Sequence, residues 1–220
     1  MTAIKGESAL AAEMVRTQIE CRGITDRAVL EAMRQVPRHL FVPPHLRSSA
    51  YEDHPLTIGE GQTISQPYIV ALMTECLATS ASDVVLEIGT GSGYQAAILS
   101  RIVRQVYTIE VREVLFRRAR RLFDSLGYTN VEIRYGDGYF GWPERAPFEG
   151  IIITAAVGLV PPPLLAQLSE GGRLVLPFGT PPGHQRLTLL TRIGGRCQVK
   201  HITGVTFVPM VGRAIRGKTG

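Results

Sequence analysis

The sequence predicts an α/β fold: a doubly wound, mostly parallel sheet with an N-terminal helical extension and a C-terminal antiparallel hairpin. Three observations predict it. Apolar runs of strand length alternate with helix-length segments between residues 84 and 178, the pattern of parallel strands joined by right-handed crossovers. The first run, Val84-Val85-Leu86-Glu87-Ile88, passes straight into Gly89-Thr90-Gly91-Ser92-Gly93. Glycines there let the chain turn sharply and let a ligand approach the backbone at the carboxyl end of a central strand. Beyond residue 184 the chain becomes β-rich around Ile193-Gly194-Gly195-Arg196, a hairpin signal.

Taken in order, residues 1–80 form a helical segment with a loop. Amphipathic helices are expected over 8–21 and 26–35, with Gly23 stopping the first and Thr25 or Asp26 capping the second. Pro37 ends the second helix, and Phe41-Val42-Pro43-Pro44 begins an irregular stretch. Residues 59–67 read as a polar, glycine-bearing loop. A helix over 67–77 follows, with Pro67 in the first turn, where its missing N–H does no harm.

Residues 81–180 form the α/β core, with strands over 84–88, 106–110, 131–135, 148–154 and 173–178. The first is buried on both faces, hence continuously apolar. A helix runs over 94–102. In the next helix Val111, Val114, Leu115, Leu122, Phe123 and Leu126 recur at helical spacing and face the sheet. Its arginines (112, 117, 118, 120 and 121) then fall mostly on the outer face. Pro161-Pro162-Pro163 opens a short helix, and Gly171-Gly172 turns the chain into the last parallel strand. Residues 181–220 supply the hairpin, over 185–192 and 198–208, and a tail over 212–220 expected to be disordered. The three parts make one compact domain.

Composition bounds the function. The chain has 220 residues, 45% hydrophobic and 20% charged, enough for a single domain with a real core. No apolar run approaches the ~18 residues of a membrane span, and residues 1–12 hold no apolar segment of signal-peptide length. Cys21, Cys76 and Cys197 are odd in number and far apart, so they read as free thiols in a reducing cytoplasm. The histidines at 39, 45, 54, 184 and 201 show no metal-ligand spacing, so no metal is expected. The net charge of +5 leaves a nucleic-acid partner open, although arginines on a helix's outer face read first as a solvated surface.

Spacing narrows the ligand. Dinucleotide binders favour G-x-G-x-x-G, with pyrophosphate on the helix N-terminus; here the loop is G-x-G-x-G, preceded by Glu87. The second strand ends at Glu110, about 20 residues past the loop, the place of an acid that chelates ribose hydroxyls. The third ends in Gly136-Asp137-Gly138, where Asp137 is placed for an adenine amino group. Three carboxylates repel a pyrophosphate and suit a cationic, phosphate-free ligand, such as S-adenosylmethionine. The plain alternative is that the glycines only turn the chain and the acids solvate strand ends.

Five stretches together resemble the protein-L-isoaspartate O-methyltransferase family, bacterial type. They are Gly61-Gln62-Thr63-Ile64-Ser65-Gln66-Pro67-Tyr68; Val85 through the glycine loop to Ala97; Gly136-Asp137-Gly138; residues 146–156; and Glu170-Gly171-Gly172-Arg173-Leu174-Val175-Leu176-Pro177. Val36-Pro37-Arg38 and Phe207-Val208-Pro209-Met210 match as well. The resemblance covers roughly residues 10–212, and its Gln-Thr-Ile-Ser-Gln-Pro loop is more specific than the glycines.

It implies the Rossmann-like fold of S-adenosylmethionine-dependent methyltransferases and methyl transfer to the free α-carboxylate of L-isoaspartyl residues. The methyl ester then closes to a succinimide, which repairs damaged proteins and peptides. It further implies a monomer with no membrane or nucleic-acid partner. Ser65 is the implied active-site residue, with Thr63, Ile64 and Ser65 meeting the substrate. Gln62, Glu87, Gly89, Thr90, Gly91, Ser92, Gly93, Glu110, Asp137, Gly138 and Thr154 meet the cofactor. One departure is Phe148-Glu149-Gly150, where the family has Phe-Asp-Ala; no binding role is carried onto Glu149.

A carboxylate is ionised at neutral pH and is already a nucleophile, so no cysteine, histidine or metal has to activate it. Positioning is the main requirement. Hydroxyls at Ser65 and Thr63 can orient the carboxylate without quenching it, which assigns Ser65 to orientation and not to covalent catalysis. Its bland alternative is an N-cap for the helix beginning at Pro67. RNA is the alternative acceptor. Against it, Thr154-Ala155-Ala156-Val157 stands where an adenine amino-methylase carries Asn/Asp-Pro-Pro-Tyr/Phe, and no cysteine follows a proline as in cytosine C5 enzymes. A module that binds without turnover is the third reading, disfavoured by the intact Thr63 and Ser65 loop.

Overall fold

The computed structural model describes residues 2–180 and 183–212, and of residues 2–5 the backbone alone. The tail expected to be disordered lies outside the described residues from 213 onward. Among the described residues no helix is long and apolar enough to cross a membrane.

The N-terminal segment opens with α1 (Thr2–Met14), a π turn (Val15–Ile19) and a 3-10 turn (Glu20–Arg22) in place of one helix over 8–21. Gly23 stops it as expected, at φ 92° with its N–H on the Glu20 carbonyl. Asp26 caps α2 (Arg27–Gln35) by accepting from the backbone N–H groups of Ala28 and Val29. The loop expected over 59–67 is in part a hairpin, β1 (Leu56–Gly59) with β2 (Gln62–Ile64). Its turn needs positive φ at Gly59, Glu60 and Gly61, and Leu56, Ile58 and Ile64 are buried beneath it. The helix α3 (Pro67–Leu77) begins at Pro67, but its N-cap is Gln66, which makes no side-chain cap bond. Ser65 is therefore not the cap.

The main sheet has seven strands: β3 (Val84–Ile88), β4 (Gln105–Glu110), β5 (Val131–Tyr135), β6 (Phe148–Ile153), β7 (Leu168–Phe178), β8 (Gln185–Ile193) and β9 (Arg196–Val205). Their order is β5-β4-β3-β6-β7-β8-β9. The first five are parallel, and the last two pairings are antiparallel, through the predicted Gly194-Gly195 turn. The order reverses between β3 and β6, so the loops after these strands diverge and leave a crevice. β7 starts earlier than expected: Leu168 pairs with Phe148 and Arg173 with Gly150. The Gly171-Gly172 pair thus sits in an irregularity within the strand.

Side chains of β3 alternate between layers. Val85 belongs to the large core shared with α1, α2, α3, α4 (Tyr94–Leu99) and α5 (Glu113–Leu126). Leu86 and Ile88 join Trp142, Phe148, Leu164 and Met210 on the other side. That second face is covered by 3-10 turns and the five-residue α6 (Pro162–Ala166), so the helices are unevenly divided. On α5 the buried stripe is Leu115, Ala119 and Phe123. Val114, expected on the sheet, is 59% exposed, because it lies about 100° round the helix from Leu115.

Glu149 explains itself in the structure. Its Oε2 accepts from the Val84 backbone N–H at 2.9 Å and its Oε1 from the Ser169 hydroxyl at 3.2 Å. It thus fastens the entry of β3 to that of β7, at the end of the sheet away from the glycine loop. Glu149→Ala is expected to lower unfolding free energy by about 1–2 kcal/mol in urea melts. Cofactor affinity should be unchanged.

Candidate active site

A cavity of about 650 Å³ opens at the carboxyl ends of β3, β4 and β6. Gln62, Thr63, Ile64 and Ser65 line it from the hairpin side, and Gly89, Thr90, Gly91, Ser92 and Thr154 from the two diverging loops. Glu87, Glu110 and Gly138 complete the set that the sequence brings here.

The glycine loop is shaped by its neighbours. Gly89 has φ 96°, and a Cβ there would lie 2.5 Å from Thr154 Oγ1. The Thr154 hydroxyl donates to the Gly89 carbonyl at 2.6 Å, joining the two loops. Gly93 also has a packing job. A Cβ on it would lie 2.8 Å from Phe123 Cζ. Its smallness lets α4 start against α5.

The acids differ in setting. Glu87 is 0% exposed. Its Oε2 accepts from the Thr108 hydroxyl at 2.5 Å, and Thr108 pairs in turn with the Thr90 hydroxyl at 2.6 Å. Glu87 Oε1 is buried with no partner. Burial pushes this carboxyl up to about 8; the Thr108 bond opposes the rise and the charge of Glu110 adds to it. Glu110 is fixed by backbone donors, Gly91 N–H at 2.8 Å on one oxygen and Arg112 N–H at 2.9 Å on the other. Asp137 stands at the tip of β5, next to Gly138 of the cavity lining. Its carboxylate accepts from the Tyr139 N–H at 2.9 Å, and the backbone of Gly212 packs against it.

These residues suit S-adenosylmethionine. An orphaned, buried carboxylate oxygen in the wall is a seat for a ligand ammonium, and a carboxylate anchored by two N–H groups has lone pairs left for a ribose diol. Among the described residues no three His, Cys, Asp or Glu side chains gather into a metal-sized group. Glu110→Gln is expected to weaken cofactor binding by about ten- to a hundredfold, charged hydrogen bonds being worth about 1.5–3 kcal/mol. Equilibrium dialysis would check it.

The hydroxyl-bearing side is held from behind. Arg38 donates to the Ser65 carbonyl at 2.7 Å, and Arg118 donates to the Ile58 carbonyl of the hairpin at 3.1 Å. Sequence reasoning gave no role to the segment 204–211, which forms much of a third wall. It is fixed by Ala156, whose N–H donates to the Val208 carbonyl at 2.8 Å and whose carbonyl accepts from Met210 at 2.9 Å. The signal was present, an apolar run with Pro209 after a strand, but such a run carries no chemistry of its own.

The model of the family Protein-L-isoaspartate(D-aspartate) O-methyltransferase matches residues 9–215. A relative from Shewanella sediminis (strain HAW-EB3), named Protein-L-isoaspartate O-methyltransferase 2, is 62% identical over 203 residues, covering 92% of this chain and 83% of that protein. One of the same name from Pelobacter propionicus is 57% identical, covering 90% and 89%. A solved protein-L-isoaspartate O-methyltransferase superposes with a TM-score of 0.83 at 30% identity, covering 92% of this chain and 67% of its own. A Plasmodium falciparum structure, described as a putative protein-L-isoaspartate O-methyltransferase in complex with S-adenosyl-L-homocysteine, shares the fold with a TM-score of 0.80 at 23% identity, covering 91% and 98%. With its acidic glycine-loop cavity and a family match over nearly its whole length, this chain belongs to the protein-L-isoaspartate O-methyltransferase family.

Proposed function

We propose that this chain methylates the free α-carboxylate of L-isoaspartyl residues in damaged proteins and peptides, with Ser65 and Thr63 orienting that carboxylate. The observation that carries the reading is one cavity with two unlike walls. Glu87 and Glu110 make one acidic, and Thr63 and Ser65 make the other neutral and hydroxyl-bearing. The first suits a cation, the second an anion that must stay nucleophilic.

S-adenosylmethionine, when bound, supplies an electrophilic methyl group on a sulfonium. The chain's residues do the rest by placement. Glu87, with its free Oε1, meets the ammonium, and Glu110 meets the ribose. Gln62, Gly89, Thr90, Gly91, Ser92, Gly93, Asp137 and Gly138 shape the remaining contacts, and Thr154 holds the loop that carries them. Ser65 Oγ donates to the acceptor carboxylate and aims one oxygen at the methyl, with Ile64 excluding water beside it. No proton has to move for attack, so the site needs no general base. The hairpin residues Thr63, Ile64 and Ser65 supply the acceptor side, the loops after β3, β4, β5 and β6 most of the cofactor side, and residues 204–211 the third wall. The protein acts as a monomer, in the cytoplasm, where Cys21, Cys76 and Cys197 stay free thiols.

The test is transfer of labelled methyl from S-adenosylmethionine to a matched peptide pair, one with L-isoaspartate and one with L-aspartate, with bulk RNA as third acceptor. Base-labile label on the isoaspartyl peptide alone is expected. Stable label on RNA would replace this reading, and cofactor binding without any transfer would favour a module that does not turn over.

A further inference from the structure

Arg38 opens a 3-10 turn, Arg38–Phe41, directly after Pro37, and its side chain is wholly buried. Nε donates to the Ala50 carbonyl at 2.7 Å and Nη2 to the Ser65 carbonyl at 2.7 Å. The guanidinium carbon lies 4.8 Å from the centre of the Tyr94 ring, and Tyr94 is the first residue after the glycine loop. Nη1 is buried without a partner. Among the described residues Arg38 makes no ion pair. The ionisable groups acting on it are the phenols of Tyr94 and Tyr51, both pushed up by burial and so neutral at pH 7. The imidazole of His54 is also within its reach and offers no negative charge.

An arginine cannot shed its proton to escape burial, and a buried, unpaired charge costs several kcal/mol. A neutral donor would join Ala50 to Ser65 without that cost. The cavity in front of Ser65 supplies the missing reason. Glu87 and Glu110 line it, and in their ionised form they attract a cationic cofactor and repel an anionic acceptor.

We propose that Arg38 is a positioning residue that supplies compensating positive potential at the acceptor end, drawing the substrate carboxylate to the Ser65 loop from behind the cavity wall. Fields of this kind act over several ångströms where water is excluded. Because Arg38 is absent from the wall itself, it attracts the carboxylate without forming a contact ion pair that would occupy the attacking oxygen. The inference rests on the carboxylate-acceptor reading above.

The test compares Arg38→Met and Arg38→Lys in the full chain. It reads KM and kcat for an isoaspartyl peptide and dissociation constants for S-adenosylmethionine and S-adenosylhomocysteine. The two cofactor forms differ by the sulfonium charge. Arg38→Met is expected to raise KM by about tenfold or more, while S-adenosylmethionine binds as well as before, or better relative to S-adenosylhomocysteine. Arg38→Lys keeps the charge but loses the two-armed grip, so KM stays within about threefold while kcat falls. A purely structural role would weaken peptide and both cofactor forms together, and that result, or an unchanged KM in Arg38→Met, overturns the proposal. If Arg38→Met does not fold, Arg38→Lys decides, and a KM raised about tenfold there also overturns it. A wild-type protein that leaves the isoaspartyl peptide unmethylated defeats the acceptor reading instead. The ratio of the two cofactor affinities in Arg38→Met still reports whether the charge reaches the cavity.

Discussion

Ser65→Ala is expected to lower kcat for an isoaspartyl peptide by about a hundredfold, the scale of losing one aimed donor at a reacting oxygen. The dissociation constant for S-adenosylmethionine should move less than about threefold. The separation follows from how the residue is held. Its carbonyl accepts from Arg38, so the loop stays in place without the hydroxyl. The N-cap position of α3 is Gln66, so removing the Ser65 hydroxyl removes no cap bond and thermal stability should hardly change. The cofactor side is built from residues after β3, β4 and β6, none of which needs the Ser65 hydroxyl. Steady-state methyl transfer and calorimetric titration on the same preparation provide the check. Equal loss of turnover and cofactor affinity would mean that Ser65 supports the loop and orients nothing.

Much of this site was legible because its signals are local. Glycines at alternate positions after an apolar run can be read without knowing the neighbours, and β3 runs over Val84–Ile88 as the sequence predicts. Helix ends were legible where a cap or a left-handed glycine fixes them, as at Asp26 and Gly23. What escaped is set by contacts distant in sequence. The hairpin at 56–64 has only two short strands, and its buried residues acquire their meaning from packing against the core. The helix expected over 94–102 ends at Leu99, since nothing in its composition marks the stop. The packing partners of Asp137 and Gly93, the Tyr139 N–H and the Phe123 ring, were likewise not legible from their motifs. A motif fixes the backbone's course more surely than the direction of each side chain. Arg38 was read only as part of a matching tripeptide, because no sequence pattern says that a cation will be buried and left unpaired.

The affinity for S-adenosylmethionine is expected to rise by up to about thirtyfold between pH 6 and 7.5, a window in which the ligand ammonium, with an α-amino pKa near 7.7–8.0, stays largely charged. Glu87 is the source. Without ligand it holds a proton up to about 8, because burial disfavours the carboxylate and the charge of Glu110 adds to the effect. A cation beside its free Oε1 favours the ionised form, so binding near pH 7 releases close to one proton. Each pH unit below 8 then costs up to tenfold in affinity. Titration calorimetry in two buffers of different ionisation heat measures the proton directly. Glu87→Gln should bind weakly and with a flat profile over that range, and a profile as steep as wild type would remove Glu87 from this role. Stability changes in the opposite sense. The folded, ligand-free protein binds the proton at Glu87 more tightly than the unfolded chain between 4.5 and about 8, so this group's contribution falls as pH rises, by up to about 1.4 kcal/mol per unit. Saturating cofactor should cancel that slope, because the carboxylate is then ionised and paired in the folded state. Urea melts at pH 6 and 8, with and without cofactor, in wild type and Glu87→Gln, separate this single carboxyl from all others: a slope that persists in the variant belongs elsewhere.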